Sequence, residues 1–204
     1  MTRQLSPQTT KLLSRLLPPA DVDTQAFVDI RRQIHANPEL GFEVNATSEL
    51  VANLLRSWGY EVHTGIGRTG IVAQLRLGSG TRRLGIRADM DALPITEATG
   101  LPYASRNAGR MHACGHDGHT AILLAAAKAL AKARDFDGTL NLIFQPDEEN
   151  LCGARAMIED GLFERFPCEA VFAVHNFVTG QVGDFALNHG ALMASSNTWR
   201  ATLH

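Results

Sequence analysis

The stretch that decides the fold is residues 139–174, TLNLIFQPDEENLCGARAMIEDGLFERFPCEAVFAV. Thr139 to Gln145 is an apolar, β-prone run closed by Pro146. Gly153 to Glu164 has helical spacing, with Pro167 just beyond it, and Ala170 to Val174 is a second, nearly all-apolar run. Strand, helix and strand in this order imply a right-handed crossover and a largely parallel sheet covered on both faces. Upstream, Gly118 to Arg134 is rich in alanine and leucine and reads as a mostly buried helix. Asp117 is placed to cap it, and Lys128, Lys132 and Arg134 lie near its C-terminal end.

Two further helices are expected, one carrying Phe27, Ile30 and Ile34 up to Pro38, the other Leu50, Val51, Leu54, Leu55 and Trp58 up to Gly59. Between them and the buried helix the period changes to two. Ile71, Ala73, Leu75 and Leu77 alternate with small or polar residues, Gly78-Ser79-Gly80 turns the chain, and Leu84, Ile86 and Ala88 alternate again, which reads as a hairpin. The fold class is therefore α/β, a largely parallel central sheet flanked by helices. In such sheets ligands sit outside the carboxyl ends of the strands. Asp89 and Asp91, Glu148 and Glu149, and His175 each follow a strand and so reach one edge.

Composition bounds the function. The chain has 204 residues, 45% hydrophobic and 20% charged, with a formal net charge of −2. A chain of this length buries about 70% of its unfolded surface, and near-neutral charge supplies no global field for nucleic acid or an anionic membrane. Three cysteines, Cys114, Cys152 and Cys168, are too few and too odd in number for a disulfide scaffold, so a reducing, cytoplasmic setting is expected. No apolar run approaches the roughly 20 residues of a membrane span. The leucines before Pro18-Pro19 are broken by Arg3, Lys11 and Arg15, and read more simply as a short helix than as a presequence.

The densest chemical cluster is Met111-His112-Ala113-Cys114-Gly115-His116-Asp117-Gly118-His119. A thiolate and an imidazole two residues apart suit zinc or another divalent transition metal, with Asp117 able to orient a ligand from behind. Cys152 and Cys168 lack the spacing that would complete a structural site, so a catalytic site completed from distant strands fits better. Adjacent Glu148 and Glu149 repel each other, and a buried pair requires a cation. One would then be a ligand and the other a general base. From these residues alone, an exposed acidic turn competes with that reading, a core histidine competes for His175, a loop cap for Asp89 and Asp91, and a small core residue for Cys114. His35, His63, His189, His204, Cys152 and Cys168 are taken as structural or surface residues.

The segments RRQIHANPELGFE (31–43), GIRADMDALPI (85–95), GRMHACGHDGHTA (109–121), FQPDEE (144–149), GARAMIEDG (153–161) and AVHN (173–176) resemble the amidohydrolase branch of the aminoacylase and carboxypeptidase metallopeptidase family. That branch includes hippurate hydrolases and N-acyl-amino-acid and auxin-conjugate hydrolases. The resemblance runs from about residue 25 to the end of the chain and is specific for family, not for substrate. It implies a zinc-peptidase-like catalytic domain with two divalent transition-metal ions, Zn, Mn, Co or Ni. Cys114 would bridge the metals, His116, Glu149 and His175 would be further ligands, and Glu148 the general base on a metal-activated water. Asp89 would orient a catalytic or metal-binding neighbour, and Arg87 stands where other branches have a histidine ligand. Asp147 and Asn150 depart from the small residues usual beside the paired glutamates.

The resemblance further implies that residues 1–190 are the N-terminal part of the catalytic domain. Residues 191–204 would open a lid or dimerisation domain that is otherwise absent, along with the final histidine ligand it precedes. Thr198 to His204 alternates like a first lid strand. A small-molecule N-acyl amino acid or similar amide is the implied partner, with no nucleic acid and no membrane, and a homodimer where the lid is present. The expectation for these 204 residues by themselves is weak or no turnover. A non-catalytic fragment that at most binds metal is the competing reading. A cysteine hydrolase using Cys114 is a third, and it leaves Glu148, Glu149 and His175 without roles.

Overall fold

A computed structural model describes residues 23–186 together with 190, 193, 199 and 201–203. The Asp23 side chain accepts the Ala26 N–H at 3.2 Å and starts α1 (Thr24–Ala36), which ends before Pro38. α2 (Asn45–Ser57) follows, then β1 (Glu61–Ile66), β2 (Gly70–Leu77) and β3 (Arg83–Asp89). α3 (His116–Ala133) leads into β4 (Gly138–Gln145), two short helices α4 (Gly153–Glu159) and α5 (Leu162–Arg165), and β5 (Ala170–Ala173). The helix expected over Gly153 to Glu164 is thus broken, because Gly161 adopts a left-handed φ of 81° between the two pieces.

The five strands lie in the order β1-β2-β4-β3-β5. β3 pairs parallel with β4 and β5, which is the predicted crossover, whereas β1-β2 and β2-β4 are antiparallel, so the sheet is mixed. The hairpin expected between β2 and β3 does not form. Alternation identified both strands but not their partner: β4 inserts between them, and the turn at Gly78 to Arg82 is spread around it. Gly80 N–H donates to Asp137 Oδ1 at 2.6 Å and Thr139 N–H to Arg82 O at 2.8 Å, so the chain entering β4 occupies the space a tight turn would need. The actual hairpin is β1-β2, whose first strand is an exposed edge with weak apolar alternation.

Helices cover both faces of β2 and β4, whereas β5, expected to be covered as well, is an exposed edge strand. Phe27, Val51, Leu55, Ile71, Ala73, Leu75, Leu124, Leu142 and Phe144 form the larger core between α1, α2, α3 and the sheet. On the opposite face Ile66, Val72, Ile143, Met157, Leu162 and Phe166 pack under α4 and α5. Leu142 and Ile143 therefore face opposite cores, as the two-residue period of a strand requires, and this double burial is why β4 reads as a continuous apolar run. Among the described residues no helix is long and apolar enough to cross a membrane. The helix before Pro18-Pro19 lies outside the described residues, as do His189, His204 and most of the expected strand from Thr198; Trp199 and residues 201–203 are not in a strand.

Candidate metal centre

The site lies where β3, β4 and β5 end and α3 begins. Gly115, with a left-handed φ of 88°, caps α3 and turns His116 inward; a Cβ here would sit 3.0 Å from the Asn176 amide. Asp117 is not the cap predicted for it. It points into the interior, where its Oδ2 accepts Arg31 Nε at 2.7 Å and His35 Nδ1 at 2.8 Å, tying α1 to the start of α3. His35 also reaches Glu97 at 3.3 Å and is the structural residue expected of it.

His116 is completely buried at the centre of the cluster. Its Nε2 lies 3.6 Å from Asp89 Oδ2, 3.7 Å from Glu149 Oε1 and 3.8 Å from Glu148 Oε2, and its Nδ1 lies 3.5 Å from Asp91 Oδ1. Neither ring nitrogen has a hydrogen-bond partner, and the buried Glu149 Oε1 has none. Cys114 Sγ and His175 Nε2 approach to 3.5 Å. Among the described residues, ligand atoms within 4.8 Å of one another form three overlapping triads: Cys114, His116 and His175; His116, Glu148 and Glu149; Asp89, His116 and His119.

These residues fit a transition metal. Bonds of about 2.0–2.3 Å place neighbouring ligand atoms roughly 3.3–3.8 Å apart, which is the spacing seen around His116, and the mixed thiolate, imidazole and carboxylate set is the one such ions take. Without compensation, orphaned buried donors and acceptors each cost on the order of 1–3 kcal/mol.

Electrostatics agree. Burial by itself would lower the His116 pKa, but Asp91, Asp89 and Glu149 outweigh it and raise it. Burial pushes Glu149 up, with Glu148 and Asp91 adding to the effect against His116. Burial and then Glu149, Glu148 and Asp89 push the Cys114 thiol up to about 11, the reverse of an activated nucleophile. This concentration of negative charge is what a bound cation would relieve.

Asp89 is held at about 2: burial opposes ionisation, but the hydrogen bond from His119 and the charges of Arg87, His116 and His119 prevail. Its Oδ1 takes His119 Nδ1 at 2.7 Å and its Oδ2 takes Arg87 at 2.7 Å. His119 Nε2 meets both the Asn176 backbone N–H, at 2.9 Å, and the Asn176 side-chain Oδ1, at 2.7 Å, so the ring is held at both nitrogens. Arg87 therefore neutralises Asp89 and also donates to Gln145 at 2.9 Å.

The structure brings Asp89, Cys114, His116, Glu148, Glu149 and His175 together, His175 being exposed two residues beyond β5. Sequence reasoning gave His119, Asp91 and Asn176 no definite part. His119 lies three residues from His116 on one helix, a spacing that puts both on one face. Asp91 follows Asp89 by two beyond a strand, and these spacings were the available signals. Cys152 is exposed and Cys168 lies against Asn141, both apart from the centre.

A sequence profile of the peptidase family M20/M25/M40 matches residues 85–194. The chain is 54% identical over 182 residues to a hippurate hydrolase of Campylobacter jejuni, covering 89% of this chain and 47% of that protein. It is 40% identical over 195 residues to the IAA-amino acid hydrolase ILR1-like 2 of Arabidopsis thaliana, covering 95% and 43%. The chain spans about half the length of these curated relatives. Among solved structures it resembles the YXEP protein of Bacillus subtilis, described as a dinuclear metal binding peptidase, with a TM-score of 0.71 and 38% identity over 75% of this chain and 43% of that one.

Proposed function

Because the chain belongs to the peptidase family M20/M25/M40, we propose that it carries the metal-dependent centre of an amidohydrolase that cleaves the amide bond of N-acyl amino acids or similar small amides. The observation that carries this reading is the buried His116, with both ring nitrogens unpaired, ringed by Cys114, Glu148, Glu149 and His175. The names of the relatives, hippurate hydrolase and IAA-amino acid hydrolase, support an acyl group joined to an amino acid.

Cys114, His116, Glu149 and His175 would hold two divalent transition-metal ions, Zn, Mn, Co or Ni, which polarise an amide carbonyl and make water more acidic when bound. Glu148 is the base. Its side chain is 34% exposed against 20% for Glu149, so it is the more open of the pair to water and substrate. Its carboxylate takes a proton from the attacking water while hydroxide adds to the carbonyl carbon, then returns that proton to the amine nitrogen as the C–N bond breaks. Asp89 holds the His119 ring in place beside His116.

On the same reading, residues 1–190 belong to the catalytic domain and 191–204 begin a smaller one through which a homodimer forms. Three unpaired cysteines support a cytoplasmic setting.

The test separates ligand from base. In a chain extended to the relatives' length, with N-benzoylglycine as substrate, Glu148→Ala keeps its metal and loses roughly two to four orders of magnitude in rate. Glu149→Ala loses metal first, read by elemental analysis. The reverse pattern would exchange the two roles, and full activity in both variants would refute the mechanism.

A further inference from the structure

Asp91 has no part in the reaction above, yet its side chain is entirely buried at the centre of the site. Its backbone is fixed on both sides: Met90 N–H donates to Gln145 O at 2.9 Å and Ala92 N–H to Glu39 O at 2.8 Å. The carboxylate thereby faces the turn after β4. There Oδ1 accepts the Glu148 N–H at 3.0 Å and Oδ2 accepts the Glu149 N–H at 3.1 Å. Asp147, preceding them, has a left-handed φ of 50°, and such a residue in a turn lets successive N–H groups converge on one anion. Asp91 Oδ1 is also the carboxylate atom nearest His116 Nδ1, at 3.5 Å, on the side of the ring away from Glu148 and Glu149.

We infer that Asp91 is a positioning residue: its carboxylate clamps the two consecutive amides of Glu148 and Glu149 and sets the spacing of that pair beside His116. One oxygen on one amide would leave the turn free to rotate about a single bond; two oxygens on two amides remove that freedom. An amide in place of the carboxylate offers one acceptor and turns its NH2 against the other N–H, leaving that buried donor unpaired. The functional consequence rests on the reading of Glu148 and Glu149 as base and ligand, whereas the clamp is a statement about hydrogen bonds and is tested separately.

The clamp is read first in the unaltered chain by through-hydrogen-bond scalar couplings between the Asp91 carboxyl carbon and the amide nitrogens of Glu148 and Glu149. Both couplings are expected, and absence of both overturns the clamp whether or not any variant folds. In Asp91→Asn, hydrogen exchange at these two amides should quicken at least tenfold while β4 amides keep their rates; unchanged exchange at Glu148 and Glu149 overturns it. Cobalt(II) titration reads the consequence. The variant should bind about 10- to 100-fold more weakly with an altered visible spectrum, and identical affinity and spectrum would refute the positioning role. If the unaltered chain binds no cobalt, the metal reading fails, while the couplings still decide the clamp.

Discussion

Buried polar side chains in this protein fall into those that are paired and those that await a partner. Tyr60 is of the first kind: its hydroxyl donates to Ala127 O at 2.9 Å beneath α3. Burial raises its pKa above the ordinary phenol value. A folded-state pKa above the unfolded value near 10 means that the stabilisation is fully present below about pH 10 and is lost as pH rises beyond it. Tyr60→Phe should therefore cost about 1 kcal/mol at neutral pH, and its stability should fall less than that of the parent above pH 10. Chemical denaturation across that range checks both statements. His116 and the Glu149 carboxylate are of the second kind. Their types and order could be read from the sequence, but their lack of partners could not, since it depends on three strand ends meeting. Asp117 illustrates the converse. Its position suited a cap, and only the packing of α1 across α3 gave it Arg31 and His35 instead.

The element that matters most is the turn after β4, residues 146–153. Gly153 N–H donates to Asp147 O at 3.0 Å, and a Cβ at Gly153 would stand 1.6 Å from the Pro146 carbonyl oxygen. Backbone cannot yield as a side chain can, so Gly153→Ala should displace the turn, lower the thermal midpoint and weaken cobalt binding together. The expected cost is at least the roughly 1–3 kcal/mol of an overpacked core site. Thermal unfolding and cobalt titration of one preparation measure it, and a variant with the parent's midpoint and affinity would show that the turn does not require glycine. Strand identity was legible at this scale because apolar alternation and buried runs are local properties. Strand partnership was not: β2 and β3 are neighbours in sequence, but β4, some fifty residues later, separates them. β1 escaped detection because an exposed edge strand need not alternate.

At the scale of the whole molecule, the parallel run β4-β3-β5 sets three carboxyl ends side by side, and the N-terminus of α3 closes over them. This is the part of the architecture that places Cys114, His116, Glu148, Glu149 and His175 together, although they span more than sixty positions of sequence. The strand, helix, strand order foretold that edge because crossover handedness leaves few alternatives. The antiparallel half of the sheet carries none of these residues, and misreading its connection left the expected site intact. On the proposed function, this edge binds transition metal with Cys114 as a ligand. Cobalt(II) absorption of the chain tests it most directly. A thiolate-to-cobalt charge-transfer band should saturate on titration and be lost in Cys114→Ser, whereas no band in the parent chain, or the same band in the variant, would rule Cys114 out as a ligand.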